Sequence, residues 1–458
     1  MSLLVPLALF GWIPAVLLLF LFLPLRWATG LAFSIGWCFL PMAGYTLPGF
    51  PDYSKMFATC IGALLGISFF HTTLLFTYRA SWLDIATLVF CFSPFLSSIA
   101  NGLGVYDGAS AVLNHSVTWG LPYFIGRLVY RRTEDLNALA GSIIGCALLY
   151  VPLCLWEVRM SPQLHAIFYG FHQHGFEQTM RFGGWRPTVF MEHGLQVALW
   201  MGFGLLICYV YLRMTPYNSK SKLASLILLS LAVTFLFLKS FGAVVLVAVA
   251  IGLFELVQFT RLRWLYLILP LWVVTYLLVR GSGLGAPDTL ISFISNNISE
   301  DRAASLQFRI DNENLLSDQA RKQVWLGWGG WGRNRVFDEY GKDLTVTDGL
   351  WIIIFGTQGA LGLSAFYAMQ LMAPTRRLLS HRFRKNAATI GLALGCLIAS
   401  IDTLPNAMML PIFQLVLGAL VHCEQRVKPK NRLKALARSP RPGLSVPQAL
   451  PTEGKPPF

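Results

Sequence analysis

The sequence predicts an all-α polytopic membrane protein, a bundle of about 12–13 transmembrane helices with one large loop on the outer side. Three observations predict it. The chain is 55% hydrophobic and only 13% charged, with mean hydropathy +0.57, far from the profile of a soluble globular domain. Apolar runs of about 18 residues or more recur along it, and about 20 residues cross the hydrocarbon core as a helix. Basic residues gather in particular segments between those runs, as they do on the cytoplasmic side. Lipid offers the backbone no hydrogen-bond partners, so the spans are read as helices.

The spans fall at about 3–25, 27–46, 56–77, 83–101, 109–130, 137–156, 190–212, 222–239, 241–260, 263–280, 349–372, 386–402 and 405–423. The count of twelve or thirteen turns on 3–46 and 109–130. The first segment lacks a positive n-region and a small-residue cleavage site, so no cleavable signal peptide is expected. The chain then divides into N-terminal helices at 1–280, with an outer loop at 157–190, a large outer loop at 281–348, C-terminal helices at 349–423, and a tail at 424–458.

A net charge of +14 raises nucleic acid as a partner, but its distribution argues for a membrane instead. Segment 371–386 carries Arg376, Arg377, Arg382, Arg384 and Lys385 with no acid. The tail adds Arg426, Lys428, Lys430, Arg432, Lys434, Arg438 and Arg441. Both read as cytoplasmic. Residues 281–348 hold seven Lys/Arg against ten Asp/Glu, so that loop faces outside, and three crossings return the tail inside. Counting back places 213–222 and 127–132 inside and 157–190 outside. The tail is basic and then proline-rich, a composition that predicts disorder, with anionic lipid explaining its charge.

All eight cysteines, Cys38, Cys60, Cys91, Cys146, Cys154, Cys208, Cys396 and Cys423, lie within or beside apolar segments, and none forms a CxxC pair. They read as small hydrophobes, neither a disulfide framework nor a zinc site. Residues 1–156 read as scaffold, with Arg79 and Asp84 in a cytoplasmic turn. Asp107 lies in a glycine-rich outer turn, 101–108, and reads as a capping or solvated residue, with substrate contact as the alternative. His71 and His115 sit in apolar settings as structural histidines.

Loop 157–190 is richer. His172, His174 and Glu177 have no strong metal-ligand spacing, and no metal is expected. Arg181-Phe-Gly-Gly-Trp185-Arg186-Pro187 sets two arginines about a Gly-Gly turn, ahead of Glu192-His193. Two readings stand: a bidentate grip on phosphate oxygens, or arginines snorkelling beside an interfacial tryptophan. Lys239 lies in a tight outer turn as an anchor. Residues 288–298 read as a short surface helix. Asp402 stands at a turn marked by Thr403 and Pro405, which discounts it as an intramembrane acid. No internal repeat is visible, against a repeat-built transporter.

Residues 305–362 are the most informative stretch. Arg309 and Glu313 sit four apart, on one face of a helix-compatible segment. Trp325-Leu-Gly-Trp328-Gly-Gly-Trp331-Gly332 combines glycines for a bent backbone with flat aromatic surface. Arg333 and Arg335 follow, and Asp348 precedes the next apolar helix. Cations, aromatic plates and a carboxylate beside a membrane suit an anionic, sugar-bearing lipid. Trp328 and Trp331 either stack on sugars or anchor in the interface.

This stretch resembles the O-antigen ligase and Wzy-type O-antigen polymerase superfamily of bacterial envelope glycosyltransferases. The resemblance covers about Ser305 to Leu363, with weaker support from 181–194. Arg309 matches an early loop arginine, Gly327-Trp-Gly329-Gly330-Trp-Gly332 a glycine turn, and Gly359-Ala-Leu-Gly362 the glycines of the following helix. Arg181 or Arg186 is similar to a second family arginine. The family's His-Asn falls on Asp348-Gly349, so either Asp348 replaces the histidine as base or the role differs. A carboxylate serves as base where burial raises its pKa. Otherwise Asp348 or Thr347 caps the helix, and Glu313 or Asp311 is the alternative acid.

The resemblance implies a GT-C-like architecture in the bacterial cytoplasmic (inner) membrane, with the site on the periplasmic side. It implies transfer of glycan from a polyprenyl-diphosphate-linked oligosaccharide to an acceptor glycan, without metal or cofactor. Arg309 and Arg186 are expected to stabilise the leaving diphosphate, with Arg181, Arg333, Trp328, Trp331 and His193 as further substrate contacts. Polymerisation of exopolysaccharide or O-antigen repeats is the leading expectation, with a chain-length regulator as a possible partner. A ligase acting on a lipid or protein acceptor is the alternative, and a flippase of lipid-linked glycan is the alternative of a different class.

Overall fold

A computed structural model describes residues 2–47, 50–181, 183–216, 222–283, 292, 295–296, 300–330, 332–381 and 386–421. Trp331, most of 288–298, Arg382, Arg384, Lys385 and the tail 424–458 lie outside these. The chain is mostly helical, and among the described residues six helices are long and apolar enough to cross a membrane. These are α1 (Leu4–Phe22), α8 (Thr133–Met160), α10 (Gly194–Met214), α12 (Phe241–Thr260), the 3-10 turn and helix of Arg263–Gly281 (α13 from Ile268), and Leu350–Leu379.

Shorter apolar helices fill the spaces between them: α3 (Lys55–Phe70), α5 (Asp84–Ala100), α11 (Lys222–Phe237), α16 (Ala387–Asp402) and α17 (Pro411–Val421). Helices α10, α16 and α17 are buried almost all round, whereas α1, α11, α12 and α13 expose Phe10, Leu226, Val249 and Trp272. A helix apolar on every face needs either protein or lipid around it, and both solutions are used here.

Several spans differ from the sequence reading for local reasons. The run 27–46 ends its helix, α2 (Leu25–Phe39), just before Pro41, since a residue preceding proline is disfavoured in the α region. The chain continues as an antiparallel hairpin, β1 (Gly44–Leu47) and β2 (Phe50–Ser54). The run 56–77 stops at Phe70, with only the single turn α4 (Thr73–Phe76) beyond. The run 109–130 is α6 (Val105–His115), a π-helical turn over Ser116–Gly120, and α7 (Leu121–Val129). The last span starts at Pro411, and 405–410 is non-helical.

Segment 281–348 is not wholly irregular among its described residues. It contains a 22-residue helix, α14 (Glu300–Arg321), packed against α15 (Leu350–Leu379). Loop 157–190 holds a short helix, α9 (Leu164–Tyr169), and a two-residue hairpin of β3 (Met180–Arg181) and β4 (Gly184–Trp185). Both segments gather at the end of the bundle where α10 and α15 begin and α16 ends.

Candidate functional site

Glu157, in the last turn of α8, is fully buried and orders loop 161–193. Its carboxylate accepts from the backbone N–H groups of Leu164 (3.0 Å), Thr188 (2.9 Å) and Val189 (2.8 Å). The Gln173 amide donates to Met191 O at 2.8 Å and to Val189 O at 3.2 Å. Arg186 N closes the base of the hairpin on Thr179 O at 2.7 Å. Arg181 is therefore exposed at the hairpin, while Arg186 is carried into the protein, 8% exposed.

Arg186 meets little there to neutralise it. Its Nη2 donates to the Lys239 carbonyl at 3.3 Å, and its buried Nε has no partner among the described residues. Arg181 and Arg309 add their positive fields. Burial first, and those two guanidiniums second, push the Arg186 pKa down to about 10. Lys239, at φ 53 in the α11–α12 turn, brings its ammonium against Gly184 of the same hairpin. His193 caps α10, its Nδ1 accepting from Leu195 N at 3.1 Å, and packs edge-on to His174 with centroids 5.3 Å apart. Burial, then Arg186, His174 and Arg181, push its pKa down to about 4. The imidazole is neutral at pH 7.

Arg309 comes from α14. Its Nε lies 3.5 Å from Asp348 Oδ2, and its Nη1 donates to Pro405 O at 3.4 Å. Asn312, one turn on, makes this possible: its Oδ1 accepts from Val346 N at 2.8 Å and holds the segment leading to Asp348 beside the helix. Asp402, at the end of α16, accepts from Asn406 at 2.9 Å and also feels Arg309. The structure thus brings Arg181, Arg186, Arg309, His193 and Asp348 into one cluster, and adds Lys239 and Asp402. Those two carried no sequence signal beyond lying in turns on the same side.

Asp348 is not a helix cap. The N-cap of α15 is Gly349, no side chain caps it, and Leu350 N donates instead to Thr403 O (3.0 Å) and Asn406 O (3.3 Å). Gly349 must be glycine here, because a Cβ would sit 2.2 Å from the Leu404 carbonyl. The Asp348 side chain is 37% exposed and faces Arg309. Of the alternative acids, Glu313 is committed elsewhere: it accepts from both Tyr276 and Arg280, and from Trp351 at 3.3 Å. Asp311 accepts from Gln307 on the exposed face of α14.

The tryptophan-glycine turn does different work. Helix α15 breaks at Gly359, with φ 64 and ψ −164, a region only glycine enters easily. The backbone of 324–329 fills the break: Ala360 N donates to Val324 O (2.6 Å), Trp328 N to Gly356 O (2.8 Å) and Gly329 N to Thr357 O (3.0 Å). Asn101 of the α5–α6 turn ties Gly327 O at 2.8 Å. Trp328 Nε1 donates to Gln319 O at 2.8 Å, and Arg333 Nε to Trp328 O at 3.1 Å. Trp328 and Arg333 therefore serve this clamp rather than the arginine cluster. His172 packs on Phe176.

A scan of protein-family models finds no match to this chain, and a search of curated proteins likewise finds none.

Proposed function

We propose that this chain is a metal-independent glycosyltransferase of the bacterial inner membrane, a Wzy-type polymerase acting on the periplasmic side on a polyprenyl-diphosphate-linked glycan. The observation that carries the reading is Arg186: a buried guanidinium with no carboxylate partner among the described residues, flanked by Arg181 and Arg309. An uncompensated buried cation is costly, and a diphosphate would supply the missing charge bidentately. With the eleven apolar helices above, α2 and the broken helix 105–129 complete thirteen spans. An odd number puts the two termini on opposite sides, with the basic tail inside.

In the proposed step the acceptor hydroxyl attacks the anomeric carbon of the donor. The bond from that carbon to the phosphate oxygen breaks, and the lipid diphosphate leaves with its electron pair. Arg186 and Arg309 stabilise the charge that develops there. The hydroxyl proton passes to the carboxylate of Asp402 or of Asp348, the two acids beside Arg309. One observation favours a transporter, the broken helix α15, since broken helices build transporter sites. Its open backbone groups, however, are taken by residues 324–329 rather than by a cavity.

Reconstituted full-length protein given a polyprenyl-diphosphate oligosaccharide tests the reading. A ladder of products with free polyprenyl diphosphate supports the polymerase, and single transfer to an added lipid or protein acceptor supports the ligase. No turnover in either assay, with lipid-linked glycan crossing the bilayer, would replace both by a flippase.

A further inference from the structure

The opposite end of the bundle carries a second feature, independent of the glycan reading. Helices α13 and α15 diverge to leave a groove of about 1180 Å³, lined by Leu271, Val274, Leu278, Leu363, Ala368 and Met372. That is larger than most small-ligand sites, and at 1.5 Å per residue α13 gives it a length of about 20 Å, the reach of an acyl chain. Ser380 lines the groove's end and also a polar recess of about 60 Å³ formed with Gln258, Arg261, Arg263, Tyr266 and His381. Such a volume has room for roughly four waters, or for a small anion in their place.

The recess is built for an anion. Arg261 and His381 are exposed at it, and Arg376 stands where it meets the groove. Arg263 donates to Ser380 O at 2.5 Å and Arg377 to Val421 O at 2.6 Å, which fixes the wall. The neighbouring acid, Glu255, is held by Arg213 at 2.9 Å and Tyr209 at 2.8 Å. Tyr266 lines the recess and is only 2% exposed, and its buried hydroxyl has no partner among the described residues. A buried hydroxyl without an acceptor is expensive, and a bound phosphate would satisfy it.

We infer that this end binds one anionic glycerophospholipid, its phosphate in the Arg261–Tyr266–His381 recess and an acyl chain along the α13–α15 groove. Native mass spectrometry of the full chain in mild detergent tests this, with phosphatidylglycerol and phosphatidylcholine of the same acyl chains as probes. One phosphatidylglycerol is expected to be retained at least tenfold over phosphatidylcholine. Tyr266→Phe, which removes only the hydroxyl, should weaken retention several-fold, and Arg261→Gln with His381→Gln should erase the headgroup preference. Ala368→Trp, filling the groove, should lower retention of both lipids. Unchanged melting temperature without added lipid shows that each variant still folds, and Tyr266→Phe serves if the groove variant does not. Equal retention of the two lipids by the parent chain would make the groove ordinary lipid contact. Equal retention by parent and Tyr266→Phe, or loss on deleting 424–458 alone, would overturn the site.

Discussion

Two buried arginines at opposite ends of the bundle show how the same side chain serves different ends. Arg127, 4% exposed, donates to Asp84 through Nε at 2.8 Å and Nη2 at 3.0 Å. Tyr78 and Tyr123 complete the carboxylate at 2.7 and 2.9 Å, and a third guanidinium N–H, also on Nη2, goes to Arg79 O. Every strong group there is answered from within the chain. Arg186, 8% exposed, has a carbonyl at 3.3 Å, an unanswered Nε and other arginines for neighbours. A closed network holds helices α5 and α7 together. An open one, in which Arg186 faces other arginines and no acid among the described residues, has unspent capacity, and it is the place where an anion gains most.

The sharpest break in this comparison is at the closed pair. Asp84→Ala should strand Arg127 and cost about 3–5 kcal/mol of stability, read as a large fall in melting temperature in detergent. A small change would mean that the network contributes little. At the open cluster the effect should move from stability to turnover. Arg186→Gln should keep the melting temperature, or raise it, and lower glycan transfer about 10²–10³-fold. Normal transfer would remove Arg186 from the site, whereas unfolding would make it structural like Arg127.

A smaller effect should follow from protonation. His193 titrates at about 4 in the folded protein and near 6.5 when unfolded. The unfolded chain binds the extra proton between those values, so stability is full above about pH 6.5 and declines as pH falls to about 4, by roughly 3 kcal/mol in all. His193→Asn should flatten that part of the stability–pH curve. An unchanged slope would assign the pH dependence to other groups.

Residues that are neighbours along the chain were readable without a structure. Arg181 and Arg186 stand at either side of a Gly-Gly turn, and the structure makes a hairpin of it. The glycines of 327–332 announce a bent backbone, and Gly327, Gly329 and Gly332 all have positive φ. What that bend is for was not readable. It fills a helix break at Gly359, a partner some 30 residues away that no local pattern names. Trp328 looks equally suited to sugar stacking or to a membrane interface, and only the Gln319 carbonyl shows where its N–H goes. Asp402 reads as a turn residue because Thr403 and Pro405 follow it, and that is true locally. Its closeness to Arg309 comes from the docking of α14 over the end of α16.

By itself, the sequence determined that this chain is a helical membrane bundle, because hydropathy and span length are local sums set by the thickness of a bilayer. It also determined which segments carry cations. Only the tertiary structure decided which cations are neutralised. Asp84 answers Arg127 across 43 residues, and Glu313 answers Arg280 across 33, while Arg186 is brought to Arg309 rather than to an acid. Charge pairing depends on distances of a few ångströms between segments far apart in the chain, and those distances are fixed by packing.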